Sequence, residues 1–162
     1  STLHERVLII DFGSQYTQLI ARRVRENRVY SEVVPPGKAL EAAAKPGLKG
    51  IILSGGPASA YADGAPDLPV EILDAGVPVL GICYGLQTLS FQHGGKIKKS
   101  LSREYGFAKI KIIKNSKIIP KEWLNKSINV WMSHGDHLSK PPKDFKILAK
   151  ISKFWQTATQ NW

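Results

Sequence analysis

The first half of the chain alternates short apolar runs with amphipathic stretches. Arg6-Val7-Leu8-Ile9-Ile10-Asp11 is an unbroken apolar run of strand length between charges, the pattern of a buried strand. Tyr16, Leu19, Ile20 and Val24 recur at helical spacing, with arginines on the other face and Asn27 near the end, and predict an amphipathic helix. Tyr30 to Val34 reads as a second strand closed by Pro35-Pro36-Gly37, and Ala39 to Ala44 as a helix stopped by Pro46-Gly47. Gly50 to Leu53 is a third strand ending in Ser54-Gly55-Gly56-Pro57. Val70 to Ala75 predicts a helix running into Gly76, Val77 to Leu80 a fourth strand, and Leu86 to Phe91 a helix stopped by Gly94-Gly95. From Lys96 onward the pattern turns β-rich, with strands expected at Phe107 to Ile113, Ile128 to Met132 and Phe145 to Ile151.

Strand and helix in alternation predict an α/β fold with a mostly parallel, doubly wound sheet, extended by antiparallel strands in the C-terminal half. No repeat, low-complexity segment or linker breaks the chain, so residues 1–162 are expected to form a single domain. In such sheets the site lies beyond the carboxyl ends of the strands. Asp11–Gln15, Ser54–Ser59 and Cys83 all fall there.

Composition narrows the class. With 162 residues and 43% hydrophobic content, the chain is long and apolar enough to bury a core. No run reaches the length of a membrane span, and no signal peptide is visible. A single cysteine excludes an internal disulfide framework and suits a reducing, cytoplasmic setting. The net charge of +10 raises nucleic acid as a partner. The lysines, however, are scattered and many alternate with apolar residues, as in Phe107-Ala108-Lys109-Ile110-Lys111-Ile112, which reads as a solvated strand face. Neither a nucleic-acid nor a membrane partner is expected.

The chemistry centres on Gly81-Ile82-Cys83-Tyr84-Gly85, between an apolar strand and a helix. A nucleophile flanked by small residues at such a junction is a nucleophile elbow. The helix N-terminus favours a thiolate; a buried core cysteine is the plainer alternative. The side-chain-free Ser54-Gly55-Gly56-Pro57 loop can present backbone N–H groups, and with the N–H of Tyr84 it would supply two donors to an oxyanion. A thiolate with an oxyanion hole means acyl transfer through a thioester. Gln87 lies one helical turn beyond Cys83 and either contacts a polar substrate or is an ordinary surface residue.

These residues resemble the class I, triad-type glutamine amidotransferases. Asp11-Phe12-Gly13-Ser14-Gln15-Tyr16-Thr17-Gln18-Leu19, Ser102-Arg103-Glu104-Tyr105-Gly106 and Val130-Trp131-Met132-Ser133-His134-Gly135-Asp136 are similar to segments of the GMP synthetase branch. The resemblance implies a flavodoxin-like fold in which Cys83 attacks the side-chain amide of L-glutamine and releases ammonia. It implies Gly56 and Tyr84 as oxyanion donors. Gln87 with Ser133, His134, Gly135 and Asp136 would hold the amino-acid end of the substrate, in a loop. It further implies, as partner, a synthetase (ATP-pyrophosphatase) domain or subunit, which aminates XMP to GMP with ATP and Mg. No cofactor and no metal are expected in this domain itself.

The family completes its triad with a His-x-Glu pair in a Phe-His-Pro-Glu segment. No histidine follows His137 here and no glutamate follows Glu122, so the 162 residues alone are expected to be inactive. His134 is the candidate substitute base. Competing readings are a catalytically silent glutamine-binding or regulatory module and another cysteine-elbow α/β protein.

Overall fold

The computed structural model describes residues 4–56, 64, 66–143 and 145–151; for 99–105, 132–137, 150 and 151 it describes the backbone alone. The chain packs as two units, Ser1–Gln92 and His93–Trp162.

The first unit is a parallel sheet with helices. Its strands are β1 (Arg6–Ile10), β2 (Tyr30–Val34), β3 (Leu48–Leu53) and β4 (Val79–Gly81), in the order β2-β1-β3-β4. Helices α1 (Thr17–Glu26), α2 (Ala39–Ala44) and α3 (Tyr84–Gln92) connect or follow them. This is the flavodoxin-like order. β1 is central, so consecutive Leu8, Ile9 and Ile10 are all fully buried, which explains why its sequence is apolar without alternation. Leu8, Ile10, Ile51, Leu53, Ala39, Ala42, Leu68, Ile72 and Leu89 form the core with Phe12 and Tyr84.

Arg6 is buried at the start of β1. Its guanidinium donates to the carbonyls of Ala42 and Lys45, each at 2.6 Å, and of Pro46 at 3.3 Å, and pairs with Glu32 at 3.5 Å. The carbonyls at a helix C-terminus lack intrahelical partners. Arg6 supplies them for α2 and ties that helix to the central strand.

Three expectations shift. The stripe on α1 turns by one residue: Thr17 and Ala21 are buried, while Tyr16 and Leu19 face solvent. The hydroxyl of Thr17 finds buried partners, so a polar residue takes the inward position. β4 is a three-residue strand paired, among the described residues, to β3 alone, and Leu80 on it is 47% exposed rather than buried. Val70–Asp74 is a 3-10 helix rather than an α-helix.

The second unit is antiparallel, with β5 (Lys96–Ile112), β6 (Ser127–Lys140) and β7 (Ala149–Ile151) in the order β6-β5-β7. Ala108 and Ile112 are buried while Phe107, Lys109 and Lys111 face outward, so the lysines lie on a wet strand face. Phe107 stands opposite Trp131, rings edge-on at 5.1 Å. Both long strands overrun their predicted limits. β6 continues through residues 133–136, expected as a loop, because that backbone pairs with β5: Ser133 opposite Tyr105, His134 opposite Glu104 and Asp136 opposite Lys99. β7 is shorter than expected, since the Leu148 carbonyl instead accepts from the N–H groups of Ile113 and Lys114. Among the described residues no helix is long and apolar enough to cross a membrane.

Candidate active site

The order in which strands are added reverses between β1 and β3: β2 lies to one side of that pair and β4 to the other. The carboxyl ends of β1 and β3 therefore open the crevice where such sheets bind ligands. The loops there begin with Asp11 and Ser54, and β4 delivers Cys83 beside them.

Cys83 has φ +52°, a left-handed conformation rare for a residue with a side chain. It sits between Gly81, the last residue of β4, and Tyr84, the first of α3, and it is exposed. Its carbonyl accepts the first helical bond, from Gln87 N at 3.0 Å. This is the elbow that the sequence predicts. A backbone outlier held in place by its surroundings is a common mark of a functional position.

The flanking glycines are dictated by close approach. A Cβ on Gly85 would lie against the Leu53 carbonyl, and one on Gly81 would meet Leu86 Cα at 2.8 Å. The bend thus packs backbone on backbone. Gly85 N donates to Ser54 O at 3.0 Å and Ile82 N to Leu53 O at 2.9 Å, fastening the elbow to β3 and its loop.

Gly56 is clamped in turn. A Cβ there would meet Phe12 O at 2.9 Å, Phe12 Cβ at 3.1 Å and Tyr84 Cγ at 3.1 Å. Phe12 and Tyr84 stack with centroids 5.1 Å apart, and Tyr84 Oη donates to Pro66 O at 2.6 Å. The side chain of Tyr84 is therefore a core pillar that seats Gly56 beside the elbow. Gly55 presents its bare face to Cys83: a Cβ on it would be 3.5 Å from Cys83 Cβ and 3.5 Å from Ser14 Oγ.

Burial pushes the Cys83 thiol above its ordinary pKa, although the residue is exposed overall. Desolvation at the elbow opposes the preference for thiolate that a helix N-terminus supplies.

Gln87 is half-buried, and its Oε1 is buried with no hydrogen-bond partner among the described residues. Ser133, His134, Gly135 and Asp136 belong to the second unit and lie on β6; their side chains are outside the described residues. The loop from Pro57 to Ser59 is outside them too. Gly56 packs against Tyr84, the residue after Cys83, so the three are neighbours in the fold. Ser14 and Thr17 were not predicted: Ser14 flanks Gly55, and Thr17 links Asp11 and Ser54 at 2.8 and 3.1 Å. The signal for Ser14 was the position of Asp11-Phe12-Gly13-Ser14 directly after the central strand; Thr17 had none.

An elbow cysteine beside a glycine loop at the crevice of a parallel sheet defines a class, and comparison agrees. The family model for glutamine amidotransferase class-I matches residues 8–157, and the chain belongs to that family. Within it, the sequence is 52% identical over 151 residues to the glutamine-hydrolyzing GMP synthase of Rhodopseudomonas palustris, covering 93% of this chain and 28% of that protein. It is 51% identical over 143 residues to the same-named protein of Aquifex aeolicus, covering 88% and 28%. The chain thus spans little more than a quarter of these relatives and is homologous to their glutaminase portion. A solved structure from Thermoplasma acidophilum, described as one subunit of a GMP synthase, superposes with a TM-score of 0.73 at 27% identity, over 94% of this chain and 75% of that one. A glutamine amidotransferase from Thermotoga maritima shares the fold, with a TM-score of 0.66 at 22% identity, over 93% of this chain and 68% of that one.

Proposed function

We propose that the chain is the ammonia-supplying portion of a GMP synthase, in which Cys83 attacks the side-chain amide of glutamine. The observation that carries this is Cys83 at φ +52° at the head of α3, with Gly55 and Gly56 packed against the elbow. The sulfur adds to the amide carbon, the oxygen becomes an oxyanion, and the N–H groups of Gly56 and Tyr84 receive it. Collapse of that adduct expels ammonia once its nitrogen is protonated and leaves a thioester; water then clears the thioester. Gln87, with its unpartnered buried oxygen, suits the ammonium of the substrate, because an unmet buried acceptor is costly until a donor arrives. The family resemblance assigns Ser133, His134, Gly135 and Asp136 to binding of the amino-acid end as well. ATP, Mg and XMP belong to a synthetase domain or subunit that consumes the ammonia, and this portion needs no cofactor. A reducing cytoplasm suits the single reactive thiol.

The raised thiol favours a second reading, a module that binds glutamine without hydrolysing it. Labelling tests both. A glutamine analogue carrying an electrophilic ketone should modify Cys83, detected by peptide mass spectrometry, and free glutamine should protect it. Gln87→Ala should weaken that protection about tenfold or more, with little change in stability. Protection of Cys83 by glutamine against iodoacetamide, with no adduct from the ketone, supports the silent module. Neither adduct nor protection overturns both readings.

A further inference from the structure

Resting on the reading of Gly56 as an oxyanion donor, the geometry points to Ser54 as a positioning residue. Its hydroxyl sets the rotation of the Gly55–Gly56 peptide, and a Thr17–Asp11 pair holds that hydroxyl in place.

The number of protons available fixes the direction of each bond. Asp11 Oδ1 lies 2.8 Å from Thr17 Oγ1 and 2.8 Å from Gly13 N. A carboxylate only accepts, so Thr17 donates to Asp11. Thr17 Oγ1 also donates to Ser54 Oγ at 3.1 Å, its one proton forked between the two acceptors. The proton of Ser54 is then left for Gly55 O, 3.2 Å away. Thr17 and Ser54 are almost wholly buried, so water does not compete for these bonds.

Gly55 O and the Gly56 N–H belong to one peptide unit. No described peptide bond is cis. In a planar trans unit the oxygen and the hydrogen point to opposite sides. A hydroxyl that holds the oxygen therefore aims the hydrogen. Packing against Phe12 and Tyr84 fixes where Gly56 is, but not how the peptide before it is rotated. Two successive glycines leave that rotation unusually free. The backbone of Ser54 is already tied, its N–H to Ile10 O and its carbonyl to Gly85 N. Its side chain is the part left to act on the next peptide.

The test compares two reagents on Cys83 in the full chain at about pH 8.5, the ordinary thiol value. A glutamine-like ketone develops an oxyanion as the sulfur adds; iodoacetamide develops none at that place. Ser54→Ala should slow capture by the ketone about tenfold or more, a share of what loss of a whole donor costs. Its iodoacetamide rate should stay within about twofold. Thr17→Val, which frees the Ser54 hydroxyl to rotate, should slow ketone capture by a smaller factor, and Thr17→Ser should restore it. Equal ketone capture by Ser54→Ala and the parent overturns the inference. So does a parallel fall in both rates with a lower Tm, which marks a merely structural hydroxyl. If the parent chain itself shows no glutamine-protected capture, the proposed function falls first.

Discussion

Gly85→Ala is the sharpest test of the elbow's packing. The added methyl would lie against the Leu53 carbonyl oxygen, with Leu53 C and Cβ both at 2.6 Å. The carbonyl belongs to a strand paired on both sides, to β1 and β4, so the methyl has no flexible side chain to displace. Overpacking of this kind costs about 1–3 kcal/mol. The start of α3 must move away from β3, weakening the Gly85 N to Ser54 O bond by about 1 kcal/mol. Alanine's better helix propensity returns up to about 1 kcal/mol. The net loss is about 1–3 kcal/mol, or a fall in Tm of roughly 2–12 °C for a chain of this size. Thermal unfolding followed by circular dichroism measures it. Gly37→Ala is the control: nothing lies within 4 Å of its Cβ position and its φ is ordinary, so it should be neutral or slightly stabilising. A Gly85→Ala protein melting within about 1 °C of the parent would refute the close approach, since the largest of these costs is a clash with backbone.

Further outcomes follow from the same contacts. The alkylation rate of Cys83 should rise with pH to a half-point above that of free cysteine, about 8.5, because burial disfavours the thiolate; a lower half-point would show the helix end outweighing burial. Arg6→Met should cost about 2–4 kcal/mol in denaturant unfolding, since the Ala42 and Lys45 carbonyls lose a charged donor; Arg6→Lys should recover only part, lacking the planar fork. A polypeptide of these 162 residues should release ammonia from glutamine about 10²-fold or more slowly than one extended through a Phe-His-Pro-Glu segment, for want of a general acid and base. Equal turnover would assign that work to a residue already present, with His134 first in line.

Much of the first unit is legible because its signals are local. A continuous apolar run such as Val7 to Ile10 has few uses other than a central parallel strand, and Gly-x-Cys-x-Gly after a strand has few uses other than a tight turn. Thr17 was not legible. Periodicity gives Tyr16 and Leu19 the inward face, yet the buried position goes to a hydroxyl whose partners are six and thirty-seven residues away. Leu80 fails for the converse reason: its run looks buried, but β4 stands last in the order of the described strands. In the second unit the β pattern was visible but its extent was not. Ser133 to Asp136 contains no apolar alternation, and only the facing β5 backbone makes it strand.

Phe12, Gly56 and Tyr84 occupy one another's space, and that mutual fit has a consequence for how such a chain can change over generations. A larger ring at position 84, a side chain at 56 or a smaller residue at 12 each spoils a contact that the other two make. Tyr84 cannot be traded for core stability alone, because its ring also seats Gly56 beside the elbow. Gly56 cannot be traded for loop rigidity alone, because its missing methyl is the seat of the ring. Drift at any one position should therefore be accepted only in company with the others, and a library randomising all three should return joint solutions rather than independent preferences.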